Sequence, residues 1–137
     1  MTQMRIKEAA ALLGVSDDTL RRWIDAGRLE TQLDSSGRKV VRGLDLARLS
    51  EEINKNAGAD LDPTFGRRSA RNQFTGLVTA LVSDAVVSQV SLQCGPYRVV
   101  SLVSTEAVKE LGLELGSVAT AIVKATNVSI EIPGGRL

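Results

Sequence analysis

The chain has no histidine and a single cysteine, Cys94, which together remove most side-chain chemistry at once. General acid–base catalysis through imidazole and Ser-His-Asp triads lack their central residue. Zinc sites of the usual Cys/His kind lack their ligands, and no disulfide can form within the chain. A lone Cys without a His partner reads as a small buried apolar residue rather than a nucleophile. No Gly-x-x-x-x-Gly-Lys-Ser/Thr string is present to cradle a nucleotide phosphate. What remains is charge and hydrogen-bond donation, which is the chemistry of binding. The residue types therefore point away from an enzyme and imply no catalytic cofactor. Seventeen Lys and Arg stand against sixteen Asp and Glu, a net charge of +1. Residues 1–53 hold nine basic and nine acidic side chains, and residues 54–137 hold eight and seven. Neither part projects a basic field, so any contact with nucleic acid must come from a local patch.

The elements that would position such a patch can be read from periodicity. Length suits one medium domain or two small ones, and the pattern changes near residue 54. Before it, apolar residues recur at helical spacing. Ile6, Ala9, Ala10 and Leu13 mark one face of a short helix ended by Gly14. Ser16 caps a second helix with Leu20, Trp23 and Ile24 inward, stopped by Gly27. Two short helices separated by Gly14-Val15 are a helix-turn-helix signature. Leu29 to Leu33, a turn at Asp34-Ser-Ser-Gly37 and Arg38 to Arg42 read as a small hairpin, and a third helix follows with Leu44, Leu46 and Leu49 inward. Residues 54–66 are polar, contain Gly58, Pro63 and Gly66, and keep no period, as expected of a linker. Beyond about residue 73 the pattern alternates: Gln73–Val82, Val86–Leu92, Tyr97–Val103, Val118–Lys124 and Val128–Ile132 are five candidate strands. A short helix opened by Ser104-Thr-Glu106 precedes the fourth. The fold class expected is α+β, with an OB-like five-stranded β-barrel carrying one short helix in the second part.

The string Ile6-Lys-Glu-Ala-Ala-Ala-Leu-Leu-Gly-Val-Ser-Asp-Asp-Thr-Leu-Arg-Arg-Trp-Ile-Asp-Ala-Gly-Arg-Leu29 resembles the MerR-like (excisionase-type) winged helix-turn-helix, over about residues 4–50. In that motif the second helix enters the major groove N-terminal end first. The resemblance makes Arg22 a reader of base edges or phosphate and Arg21 a phosphate contact. Ser16 and Thr19 become phosphate donors near the helix N-terminus. Arg38 and Lys39 at the hairpin tip become a basic wing tracking the backbone. No long coiled coil follows to pair subunits, because residues 44–53 are too short for several heptads.

Ser69-Ala-Arg-Asn-Gln-Phe-Thr-Gly76, Val103-Ser104, Leu111-Gly-Leu-Glu-Leu-Gly116 and Ala121-Ile-Val-Lys-Ala-Thr-Asn-Val128 together resemble the molbindin (Mop, or TOBE) domain, over about residues 67–132. Molbindins bind molybdate or tungstate at subunit interfaces. The resemblance implies that Ser69, Arg71, Lys124 and the Ala125 N–H come from one subunit and Ser104 from its neighbour. Two cations, two hydroxyls and free amides at a helix start suit a tetrahedral dianion. One position departs: the family often carries a second hydroxyl three residues after Ser104, where this chain has Ala107.

The combined organisation is a DNA-binding domain over 1–53, a linker over 54–66 and an oxyanion-binding, oligomerising domain over 67–133. It is similar in logic to ModE-type regulators. The function this implies is a molybdate- or tungstate-responsive DNA-binding transcriptional regulator. Its partners would be double-stranded DNA, the oxyanion and further copies of itself, a dimer at minimum and a hexamer within the family's range. An intracellular molybdate storage protein, and a DNA-binding architectural protein whose β domain only oligomerises, are the alternatives. No apolar run approaches the roughly 20 residues of a membrane span and no signal-peptide pattern opens the chain, so no membrane partner and a cytoplasmic location are expected.

Overall fold

A computed structural model describes residues 2–135 and divides the chain into two compact units, Met1–Ala57 and Gly58–Leu137. In the first, a short strand β1 (Gln3–Arg5) runs directly into helix α1 (Ile6–Leu13). Ile6, Ala9 and Ala10 are buried and Leu13 packs beside them, the single face that their spacing dictates. Gly14 ends the helix at φ 71, donating its N–H back to Ala11, while Val15 donates to Ala10. This closure needs a left-handed residue, which glycine adopts without penalty. Ser16 then caps helix α2 (Asp17–Asp25), its Oγ accepting the Thr19 N–H at 3.1 Å. Leu20 is fully buried, with Trp23 and Ile24 packed against the same core.

The hairpin forms from β2 (Gln32–Leu33) and β3 (Lys39–Arg42), and β1 pairs with the other edge of β3, giving the order β1-β3-β2. Helix α3 (Gly43–Ile53) buries Leu46 and Leu49 but not Leu44, which is exposed and so corrects the inward position expected for it. Successive helical residues are about 100° apart, so Leu44 lies roughly 200° from Leu46 and faces away from the stripe that Leu46 and Leu49 share.

The second unit is a curled antiparallel sheet in the order β6-β5-β4-β7. Its strands are β4 (Asn72–Ser83), β5 (Val87–Cys94), β6 (Tyr97–Ser104) and β7 (Val118–Val123), with α4 (Thr105–Leu111) between the last two. A two-residue Gly95-Pro96 turn joins β5 to β6, with Gly95 at φ 58, the positive φ such hairpins require. Val78, Val90, Leu92, Cys94 and Val108 form the core. Along β4 the register shifts between Val78 and Ala80, leaving Thr79 as a bulge. The bulge turns Leu81 onto the same core as Val78, three residues away, where plain alternation would send it to the opposite face.

Among the described residues the unit has four strands where five were expected. Val128–Ile132 is irregular, and Val128, Ile130 and Ile132 are exposed. Alternation produces a strand only where an edge is offered. Here a 3-10 turn over Ala125–Asn127 interrupts the run directly after β7, and the residues beyond it pair with no strand among those described.

The segment expected to be a linker is divided by the structure. Gly58–Gly66 belongs to the second unit, where Asp62 is buried and Phe65 donates its N–H to the Asp62 carbonyl at 3.0 Å.

Candidate functional site

On the first unit, the expected nucleic-acid residues fall into two groups, with Arg38 apart from both. Ser16, Thr19 and Arg22 form one hydrogen-bonded row along α2. The Ser16 hydroxyl donates to Thr19 Oγ1 at 3.0 Å, and Arg22 Nη2 donates to the same oxygen at 3.1 Å. The row fixes the Arg22 guanidinium one turn from the helix N-terminus, on the exposed side opposite Leu20. Arg21 and Lys39 line one shallow depression with Ile6, Ile24 and Asp25, so helix and hairpin bring these two cations to the same place.

Arg38 sits at the hairpin turn, where Asp34 organises the backbone. Asp34 Oδ1 accepts from the Arg38 N–H at 2.9 Å, from the Ser36 hydroxyl at 2.7 Å and from the Ser36 N–H at 2.9 Å. The Arg38 amide first, then the Ser36 hydroxyl, hold the Asp34 carboxyl below the usual carboxylate range. Arg28, beside Gly27 at the helix exit, is committed elsewhere: it stacks over Trp23 at 5.1 Å from the ring centroid and pairs with Glu52 at 3.5 Å.

On the second unit the expected oxyanion residues separate into two clusters. In the ladder between β4 and β7, Asn72 stands opposite Val123, and Asn72 Nδ2 also donates to the Val123 carbonyl at 3.2 Å. Arg71 and Lys124 are the next residues outward from that rung. Both are exposed, with Ser69 two residues upstream of Arg71. Lys124 precedes the 3-10 turn and accepts the Asn127 N–H through its carbonyl at 2.9 Å. Ala125 opens the turn, whose internal bonds use the N–H groups of Asn127 and Val128 and not its own.

Ser104 lies elsewhere. It ends β6 opposite Val87, at the start of β5, and the neighbouring rung joins Ser88 to Ser83 at the far end of β4. Arg71 and Ser104 thus flank opposite ends of a twelve-residue strand, on the order of 35 Å of strand length at about 3.3 Å per residue.

Ser104 caps α4, its Oγ accepting the Ala107 N–H at 3.0 Å. The Ala107 amide is therefore engaged, while the Ser104 hydroxyl hydrogen is left to donate outward. The cap is braced from below by a row of hydroxyls. Ser88 bonds Ser83 at 2.7 Å and Thr105 at 2.8 Å, and Thr105 donates to the Asp84 carbonyl at 2.8 Å. Ser88 has no exposed surface.

Comparison with known proteins bears on both units. The model of the TOBE domain matches residues 68–130, and that of the MerR family regulatory protein matches residues 5–40. Molybdenum-pterin-binding protein 2 of Clostridium pasteurianum is 41% identical over 63 residues, which are 45% of this chain and 93% of that one. The chain belongs to the TOBE-domain family. It carries a MerR-type segment ahead of the TOBE unit. The molybdenum transport protein ModE of Azotobacter vinelandii is 35% identical over 118 residues, covering 73% of this chain and 43% of that protein. Among solved structures, the cytoplasmic molybdate-binding protein ModG is 41% identical over 53% of this chain and 52% of its own, with a TM-score of 0.48.

Two features of the TOBE unit escaped sequence reading. One is the hydroxyl row beneath Ser104, formed by ordinary Ser and Thr residues whose proximity only the strand register creates. The other is an ion pair between Asp62 and Arg68 at 2.5 Å, whose local signal was present: Asp62-Pro-Thr64 is an Asx-turn sequence.

Proposed function

We propose that the chain is an oxyanion-responsive, DNA-binding transcriptional regulator that works as a homo-oligomer, with molybdate or tungstate as the ligand. One observation carries the reading of the ligand site. The two cations stand together at one end of the TOBE sheet and the donor Ser104 stands at the other, so a closed shell around one anion needs two copies. Arg71 and Lys124 supply positive charge, Ser69 a hydroxyl and Ala125 an N–H. Ser104 of a second copy completes the shell with its outward hydroxyl hydrogen and the start of α4. An anion that contacts both copies binds the assembled state better than the separated one, and that difference in affinity is what a sensor requires.

The winged helix-turn-helix reads DNA. The Ser16–Thr19–Arg22 row presents to the major groove, and Arg21, Arg38 and Lys39 hold the phosphate backbone. Two readers joined through paired TOBE units address a near-palindromic site.

Gel-shift titration on the promoter DNA of molybdate-related operons, with and without molybdate, tests the whole reading. Wild type shifts the DNA in a molybdate-dependent way. Arg22→Ala loses the shift but keeps molybdate affinity, and Lys124→Ala loses the anion dependence but keeps DNA affinity. Molybdate binding with no DNA shift under any condition would leave a storage protein instead.

A further inference from the structure

We propose that Asp62, outside the ligand shell itself, is the positioning residue of the oxyanion half-site, acting through Arg68 on Ser69 and Arg71. The inference rests on the oxyanion reading above. Ser69, Ala70 and Arg71 precede β4 and take no part in its ladder. Their place is set by what holds the two residues flanking them. On the downstream side Asn72 is fixed to Val123 through the ladder and through its own side chain. On the upstream side the Arg67 N–H donates to the Thr64 carbonyl at 3.0 Å, and the side-chain anchor to β4 among the described residues is Arg68. Its Nη1 donates to Asp62 Oδ2 and to Gln73 Oε1, both at 2.5 Å, and its Nη2 reaches Asp62 Oδ1 at 3.3 Å. Because Gln73 is the second residue of β4, the guanidinium bridges the base of a short arch whose crown is Ser69-Ala70-Arg71.

Asp62 makes that bridge rigid. It is 6% exposed, and Oδ1 also accepts the Thr64 N–H at 2.9 Å and the Thr64 hydroxyl at 2.7 Å. Oδ2 lies 3.5 Å from Thr120 Oγ1 on β7, and Thr120 in turn bonds Thr75 on β4 at 2.9 Å. The carboxylate is therefore tied to the two strands that Arg71 precedes and Lys124 follows. A buried carboxylate with charged and neutral donors on both oxygens holds one geometry, and an arch already held needs no ordering when the anion arrives.

The test uses the full chain, sodium molybdate as ligand and sodium sulfate as control, with calorimetry and timed trypsin digestion. Asp62→Asn keeps the Thr64 turn but loses the ion pair. It weakens molybdate binding about tenfold, which equals about 1.4 kcal/mol. In an Arg71→Ala background the same change adds less than twofold, because its effect passes through the arch. Unchanged affinity in Asp62→Asn, or a full tenfold multiplying onto Arg71→Ala, overturns the proposal.

Trypsin reads the arch without ligand. Cleavage after Arg68 and Arg71 accelerates at least tenfold in Asp62→Asn relative to cleavage after Lys55, and equal acceleration at all three sites overturns the proposal. Absence of molybdate binding by wild type would sink the oxyanion reading alone and leave the digestion to judge the latch. Should Asp62→Asn not fold, Thr64→Val removes one donor to the carboxylate and weakens molybdate binding about threefold; no change there overturns the proposal equally.

Discussion

Gly76 on β4 lies so close to Gln93 on β5 that an ideal Cβ on the glycine would stand 2.2 Å from the Gln93 carbonyl oxygen and 2.8 Å from Cys94 Sγ. No backbone atom there has room to retreat without opening the strand pair. The contact lies next to the core that Cys94, Val78 and Leu92 form. Gly76→Ala is therefore expected to destabilise the TOBE unit by about 1–3 kcal/mol, in the range of core overpacking with backbone shift. Urea denaturation followed by circular dichroism measures it, and a midpoint equal to that of wild type would refute the close approach.

The Cys94 thiol follows from the same packing. It is buried, and burial pushes its ionisation above the ordinary thiol range. Iodoacetamide at pH 8 should label the native protein at least tenfold more slowly than the urea-unfolded chain. Equal rates would mean that the β5 end is open in solution.

Acid stability is set in part by Asp62. Its carboxyl is held well below the usual range, chiefly by the Arg68 guanidinium and then by the Thr64 hydroxyl and amide. Because the folded-state value is depressed, the stabilisation is fully present above the unfolded value near 3.9 and is lost as pH falls below it. Asp34 and Asp84, held down mainly by backbone amides, act in the same direction. Wild type should lose stability steeply below about pH 4, and Asp62→Asn should start lower at neutral pH with a shallower acid slope. Parallel slopes for the two proteins would exclude the carboxylate as the titrating group.

Ser16 has two duties that a pair of substitutions can separate. Ser16→Ala removes the cap on α2, at a cost of about 1 kcal/mol, and frees Thr19 from its partner at the head of the row while the Arg22–Thr19 bond stays. Ser16→Asp keeps the capping oxygen and suits the helix dipole, but places negative charge where phosphate is proposed to sit. Thermal melts should show a loss for Ser16→Ala and little for Ser16→Asp, while filter binding to DNA should show the larger loss for Ser16→Asp. Equal DNA affinity in Ser16→Asp and wild type would remove the α2 N-terminus from the interface.

How much of this was legible beforehand differs between elements for physical reasons. The faces of α1 and α2 were readable because Gly14 and Ser16 mark their ends with local chemistry, and the spacing of Ile6, Ala9 and Ala10 admits one helix face. The same spacing turns Leu44 away from Leu46 and Leu49. The strand at Gln3–Arg5 left no such mark, since three residues carry no period, and it exists because β3 offers an edge. The fifth strand failed for the converse reason: Val128, Ile130 and Ile132 alternate well but pair with no strand among the described residues. Motifs could name Arg71, Lys124 and Ser104, but only the ladder register sets the first two beside one another and the third at the far end of the sheet. Asp62 lies in the stretch whose composition reads as linker and Arg68 six residues on, just beyond it, and their joining to Thr120 is a long-range event.

The separation of Ser104 from Arg71 and Lys124 along β4 yields a test that no single variant can give. If each anion shell takes its cations from one copy and its serine from another, Lys124→Ala and Ser104→Ala damage opposite halves of the shell. Each variant alone should bind molybdate at least tenfold more weakly at every site. In a mixed dimer of the two, the Ser104→Ala copy contributes an intact Lys124 and the Lys124→Ala copy an intact Ser104. One shell in two is then whole, and the other lacks both groups. Co-expression with two affinity tags, purification of the mixed species and calorimetry should recover tight binding at half the wild-type stoichiometry. A shell built within one copy predicts no recovery at all, since every shell in the mixture would then carry one defect. Half-stoichiometric rescue is thus the outcome that a shell shared between two copies requires, and a flat titration of the mixed dimer would show that the shared shell does not exist.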